Sequence, residues 1–123
     1  MTRPSLHITE KQVGDVTVLD LNGLLVLDDG DMVFRDTVNA LLARGRLQFV
    51  VNLADVTYID SAGIGMLISR YLAVKRQGGD MRLANLTSRS HRVMTITHLL
   101  TVFEAYDSVD DAVQSFARPK ASI

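Results

Sequence analysis

The chain has no cysteine among its 123 residues. That excludes disulfides, thiolate metal ligands and cysteine nucleophiles, and it agrees with a reducing compartment. An excess of charge is missing too: 13 Lys and Arg stand against 14 Asp and Glu, a net charge of −1. Such a balance offers no broad attraction for phosphate backbones or anionic lipid, so neither nucleic acid nor membrane is an expected partner. No apolar run approaches the roughly 20 residues that span a bilayer. The opening Met1-Thr2-Arg3-Pro4-Ser5 lacks the apolar stretch of a secretory signal, and the expected location is the cytoplasm. Internal repeats and low-complexity segments are absent as well. What is present, 47% hydrophobic and 22% charged residues, is the composition of an ordinary globular protein. The length fits one domain with a compact core and leaves no room for a second, catalytic one.

Along the chain, strand and helix patterns alternate. Residues 6–13 and 16–21 partly alternate apolar with polar side chains around Gly14-Asp15, which predicts a β-hairpin. Asn22-Gly23 is read as the end of the second strand, with a short extended piece over residues 24–27. The turn cluster Asp28-Asp29-Gly30-Asp31 then suits a helix start. Phe34, Val38, Leu41 and Leu42 recur at helical spacing, with Gly45 as a stop. Residues 47–53 are nearly all apolar and too few for a typical helix, so they predict a central strand covered on both faces. A loop over residues 54–59 leads to Asp60-Ser61. Ile64, Leu67, Ile68, Tyr71 and Leu72 mark a second helix that ends at Gly78-Gly79. A strand over 81–86, a weaker helix over 88–99, a short strand over 102–105 and a last helix from Asp107-Ser108 complete the pattern, with a frayed tail after Arg118. The alternation implies an α/β sandwich, and the opening hairpin makes its sheet mixed.

Ser61 stands where an extended segment hands over to a helix, a position at which Ser and Asp oxygens accept the helix's free N–H groups. Capping by Ser61 is therefore the plain structural reading. Gly63 and Gly65 in the first turns each cost roughly 1 kcal/mol relative to Ala, so helix stability does not explain them. Small residues do allow another protein's backbone to approach, and Ala62 leaves the Ser61 hydroxyl open. A phosphate there would add roughly −1.5 to −2 of charge, which a helix N-terminus tolerates. A partner docked over the same lip would have to desolvate it beside Asp60.

The run from Asn52-Leu53 to Asp60-Ser61-Ala62-Gly63-Ile64-Gly65-Met66-Leu67, followed by Gln77-Gly78-Gly79-Asp80, resembles the anti-sigma factor antagonists of the STAS domain family. Residues 99–106 and Asp110-Asp111-Ala112-Val113 are similar to the family's closing strand and helix, so the likeness covers about residues 6 to 117. The resemblance implies a mixed sheet of about four to five strands with about four helices, in one STAS domain. It implies a non-enzymatic protein without cofactor or metal, whose Ser61 is phosphorylated by an anti-sigma factor Ser kinase and dephosphorylated by a PP2C-type phosphatase. The unmodified form would hold the kinase and release a sigma factor, thereby regulating transcription. Partner contacts are then expected at Asp28, Asp29, Asp60, Ser61, Ala62, Gly63, Ile64 and Gly65. One departure stands out: many members carry Gly-Glu-(Leu/Ile)-Asp after the second strand, where this chain reads Gly23-Leu24-Leu25-Val26-Leu27-Asp28. Asp28 and Asp29 are the nearest acids to that contact.

Rival readings have less support. His7, His91 and His98 are scattered and lack the spacing of a metal site. No Gly-x-Ser-x-Gly elbow surrounds Ser61, which argues against a hydrolase. Gly63-x-Gly65 lacks the third glycine of a dinucleotide fingerprint. Arg89, His91 and Arg92 read as a solvated helix face or the rim of a protein interface. The remaining alternative is a STAS scaffold module of a transporter-associated or signalling assembly, with a structural serine.

Overall fold

The computed structural model describes residues 5–96 and 101–117. Strands β1 (Leu6–Val13) and β2 (Val16–Leu25) form the predicted hairpin. Helix α1 (Gly30–Ala43), strand β3 (Gln48–Ile59), helix α2 (Ser61–Arg76), strand β4 (Asp80–Ala84), helix α3 (Ser88–Ile96), strand β5 (Ala105–Tyr106) and helix α4 (Val109–Ala117) follow. The five strands lie in sequence order across one sheet, with β1 antiparallel to β2 and every later pair parallel. The α/β fold with a mixed sheet is thus as expected.

Strand order explains where the helices sit. Each parallel step moves the same way across the sheet, so crossovers of one hand put their helices on one face. Phe34, Val38 and Leu41 of α1, Ile64, Leu67 and Val74 of α2 and Met94 of α3 share one buried cluster with Leu19, Leu21, Phe49, Val51, Met81 and Leu83 of the sheet. Helix α4 follows β5 and closes the other face, where Ala112 packs with Val16, Val18, Val50 and Ala84. Arg82 pins it there: the guanidinium lies 4.1 Å from the Phe116 ring centre and pairs with Asp80 and Glu104 at 3.2 and 3.0 Å. With cover on both faces, β3 is the central strand expected from its apolar run.

Several placements differ from the sequence reading. Strand β2 does not stop at Asn22-Gly23 but continues to Leu25, because β3 keeps pairing with it. Gly23, at φ 118°, admits this path: a Cβ there would lie 2.1 Å from the Ser5 carbonyl oxygen, which accepts from the Leu24 amide instead. The expected loop over 54–59 is likewise strand, the last part of β3. Register shifts opposite Asn22 and Leu24 disturb its alternation, so Leu53, Val56 and Ile59 are buried at a spacing of three. The last strand falls at Ala105–Tyr106, later than expected, since Phe103 turns into the core and meets Tyr71 edge to face at 4.8 Å. Leu72 is 48% exposed, and Val74 takes the buried place on α2. His98, the end of the 88–99 helix and the tail from Arg118 lie outside the described residues.

A polar chain crosses the sheet on the α4 face. The Asn52 amide donates to Asp20 at 2.7 Å, and the Asn52 oxygen accepts from Asn85 and from the Ala54 amide at 3.0 and 3.1 Å. Asn52→Leu would leave several partly buried groups without partners, and a loss of about 1 to 3 kcal/mol is expected by urea unfolding.

Candidate functional site

Because β2 and β3 run parallel, their C-terminal ends emerge together, and each leads into a helix. After β2 the chain turns through residues 26–29, with Asp28 at φ 60°. Asp31 Oδ1 accepts from the Asp29 and Met32 amides at 3.1 and 2.7 Å, and Asp29 Oδ1 accepts from the Ser5 amide at 3.0 Å. The two expected contact acids therefore differ. Asp29 is engaged in tying β1 to the turn, whereas the exposed Asp28 carboxylate makes no hydrogen bond to the described residues.

After β3 the residue that caps α2 is Asp60, not Ser61 as the plain reading held. Asp60 Oδ1 accepts from the Gly63 amide at 2.9 Å. Oδ2 accepts from the Leu27 amide at 3.0 Å, so one carboxylate bridges the two loops. The Leu27 amide foremost, with those of Gly63 and Ala62, holds this carboxyl below the ordinary carboxylate range, against the opposing effect of desolvation. Capping by Asp60 has a physical reason. Its backbone is still extended, so its side chain can turn back on the amides, while Ser61 already has entered the helix as its first residue. Ser61 is exposed, and its hydroxyl makes no hydrogen bond to the described residues.

The glycines divide in a way that spacing could not reveal. Gly63 is buried against β2, and a Cβ on it would lie 2.1 Å from the Leu25 carbonyl oxygen. Its smallness serves packing within the domain rather than the approach of a partner. Ile64 is also buried, 7% exposed, and turns into the core. Gly65 is exposed with nothing near its missing Cβ. Of the expected contact residues, Asp28, Ser61 and Gly65 are exposed, Asp29, Asp60 and Ala62 are partly so, and Gly63 and Ile64 are not surface groups.

Sequence reasoning missed the apolar surroundings: Leu24, Leu27 and Tyr58 are 37, 60 and 48% exposed. The length of β3 is what brings Tyr58 there, and no local pattern signals it. His7 and His91 are exposed, and no group of His, Asp or Glu suited to a metal occurs among the described residues. A cleft of about 590 Å³ lined by Asn85, Thr87, His91, Tyr106 and Asp107 takes in none of the expected site residues. Among the described residues, no helix is long and apolar enough to cross a membrane.

The site is thus an open lip with an unbonded serine rather than an enclosed cleft of the kind that holds a small molecule. The STAS domain family matches residues 7–112, and the chain belongs to that family. It is 26% identical over 109 residues to the anti-sigma F factor antagonist of Paenibacillus polymyxa, covering 89% of this chain and 93% of that protein. An anti-sigma factor antagonist from Mycobacterium paratuberculosis shares the fold at a TM-score of 0.82 and 19% identity, covering 93% of this chain and 96% of that one. The Bacillus cell fate determinant SpoIIAA in its phosphorylated form does so at 0.71 and 17%, covering 89 and 99%.

Two measurements test this geometry. Gly63→Ala should unfold the domain or sharply lower its melting temperature, whereas Gly65→Ala should raise stability by up to about 1 kcal/mol. Asp60, whose folded pKa lies below its unfolded value, contributes stability that is complete above the unfolded value and is lost as pH falls through the folded one. Denaturant melts between about pH 5 and pH 2 should show a component of acid destabilisation that Asp60→Asn lacks.

Proposed function

We propose that this chain is an anti-sigma factor antagonist whose unmodified Ser61 lip binds an anti-sigma factor Ser kinase and so frees a sigma factor. Residues 6–117 act as one STAS module. The observation that carries the reading is the exposed, unbonded hydroxyl of Ser61 beside a neighbour, Asp60, that does the capping. A structural serine would be bonded; this one is free to be modified. The name of the Paenibacillus relative supports the antagonist role, and the phosphorylated form of SpoIIAA supports a phosphorylation switch.

In the switching step the γ-phosphoryl group of ATP passes to Ser61 Oγ. The bond to ADP breaks, and the hydroxyl proton goes to a base of the kinase. Water on a PP2C-type phosphatase reverses the modification and releases inorganic phosphate. This chain supplies no catalytic group: it offers the hydroxyl and the surface. The phosphate adds roughly −1.5 to −2 of charge beside the ionised Asp60, at a helix N-terminus that stabilises anions. The domain keeps its fold, while a partner must now bury a phosphate it has no room for. Loss of binding follows from desolvation and crowding rather than unfolding.

Incubation with ATP and purified candidate anti-sigma factor kinases should add one phosphate to the wild-type chain by intact mass and none to Ser61→Ala. Circular dichroism of the modified chain should be unchanged, and Ser61→Asp should bind the kinase more weakly than wild type. Kinases that bind but leave Ser61 unmodified, with Ser61→Asp binding as tightly as wild type, would end the switch reading.

A further inference from the structure

Single exposed hydrophobics are ordinary on a protein surface, but here they gather. Among the described residues, Leu24, Leu27, Met32 and Tyr58 are four of the seven large hydrophobic side chains left exposed. Leu24 and Tyr58 lie at the C-terminal ends of β2 and β3, Leu27 in the turn between β2 and α1, and Met32 in the first turn of α1, at the end of the molecule that carries Ser61. Leu24 and Tyr58 are register partners on adjacent strands, next to the buried pair Leu25 and Ile59, and so point together to the opposite face. Helix α4 covers that face at Val16, Val18 and Val50. The Asp20–Asn52–Asn85 chain crosses it next, and beyond that Leu24 and Tyr58 stand uncovered. Leu27 is held in place by the same Asp60 carboxylate that caps the Ser61 helix.

The flanks of this patch carry opposite charge. On the α3 side Arg89 Nη1 donates to the Thr57 carbonyl at 2.9 Å, and its guanidinium lies 5.8 Å from the Tyr58 ring centre. Arg89 thereby steadies the aromatic ring and leaves a cation at the rim. Neither Arg89 nor Arg92 has a carboxylate partner among the described residues, and both are exposed. The exposed acids beside the patch are Asp28, in the turn after β2, and Asp55, the register partner of the exposed Asn22 two residues before Leu24.

We propose that the uncovered sheet end formed by Leu24, Leu27 and Tyr58, with Arg89 and Arg92 at its rim, is a docking surface for the anti-sigma factor. The partner segment is apolar and bears carboxylates on the side that meets α3. The inference rests on the partner-binding reading above and says where the affinity of that contact arises. Aromatic and aliphatic groups at the centre of an interface carry most of its energy, and rim charges chiefly set the rate of encounter. Continuity with Ser61 commits the patch to this partner: a protein seated on Leu27 lies against the lip where the phosphate would form.

Anti-sigma factors purified from the same cell serve as probes in a binding assay. The Leu27→Ser/Tyr58→Ser double variant should weaken binding about tenfold or more. Arg89→Glu should slow association, most at low salt. Leu72→Ser, which removes an equally exposed apolar group on α2, should stay within about twofold of wild type, as expected for a side chain outside the interface. Melting curves confirm that each variant is folded. If the double variant and Arg89→Glu both bind like wild type while Ser61→Asp still weakens binding, the docking surface is wrong and the switch survives. If the wild-type chain binds no anti-sigma factor, both readings fall. Sedimentation should find a monomer; a dimer abolished by the double variant would give the patch to a second copy and overturn the proposal.

Discussion

The Asp60 carboxylate joins two loops that would otherwise meet only through the sheet. Parallel strands deliver the ends of β2 and β3 to one edge, and each helix that follows begins with amides in need of acceptors. Asp60 serves both sides at once, taking the Gly63 amide with one oxygen and the Leu27 amide with the other. The arrangement holds only because α2 lies close against β2, and that closeness depends on Gly63, where the Leu25 carbonyl occupies the space of a side chain. A bulkier residue would push the helix out and part the two loops. Ser61 and Leu27 keep a fixed relation because of this one contact.

With Asp60 as the cap, Ser61 is released from structural duty. Its hydroxyl sits on the first turn of a helix, where backbone dipoles favour added negative charge, while an ionised carboxylate beside it makes the same charge costly for anything that docks there. Under the proposed function, the domain and a partner would respond oppositely to phosphorylation of Ser61. In the proposed mechanism that asymmetry is the switch, and no conformational change is required of the domain. The neighbouring turn contributes unequally: Asp29 is bound to the Ser5 amide, and Asp28 faces outward.

Much of the fold was legible from periodicity. The hairpin, the four helices and the central strand all follow from apolar spacing, because each element buries one face or two against neighbours of regular geometry. Errors fell where that regularity breaks. The last part of β3 buries Leu53, Val56 and Ile59 at a spacing of three, which no strand template matches, and the cause is a register shift against β2 that local sequence does not encode. Phe103 looked like a strand residue by composition, yet it fills a gap beside Tyr71 and displaces β5 along the chain.

The helix start at Asp60-Ser61 was readable in the same way, from its place between an apolar strand and an amphipathic helix. Which residue caps, and which body each glycine accommodates, were not readable. Asp and Ser are both good caps; the choice turned on which of them keeps extended backbone at the helix start, and the second Asp60 bond, to a Leu27 amide 33 residues away, comes from strand pairing. Gly63 and Gly65 are equivalent in sequence but separate into a buried and an exposed position once α2 is seated on β2. The sequence by itself determined the elements, their order and the exposed serine's neighbourhood, because those depend on short-range spacing. Only the tertiary structure decided the bridge, the freedom of the Ser61 hydroxyl and the apolar patch beside it, because each depends on groups remote in sequence that meet when parallel strands end at one edge.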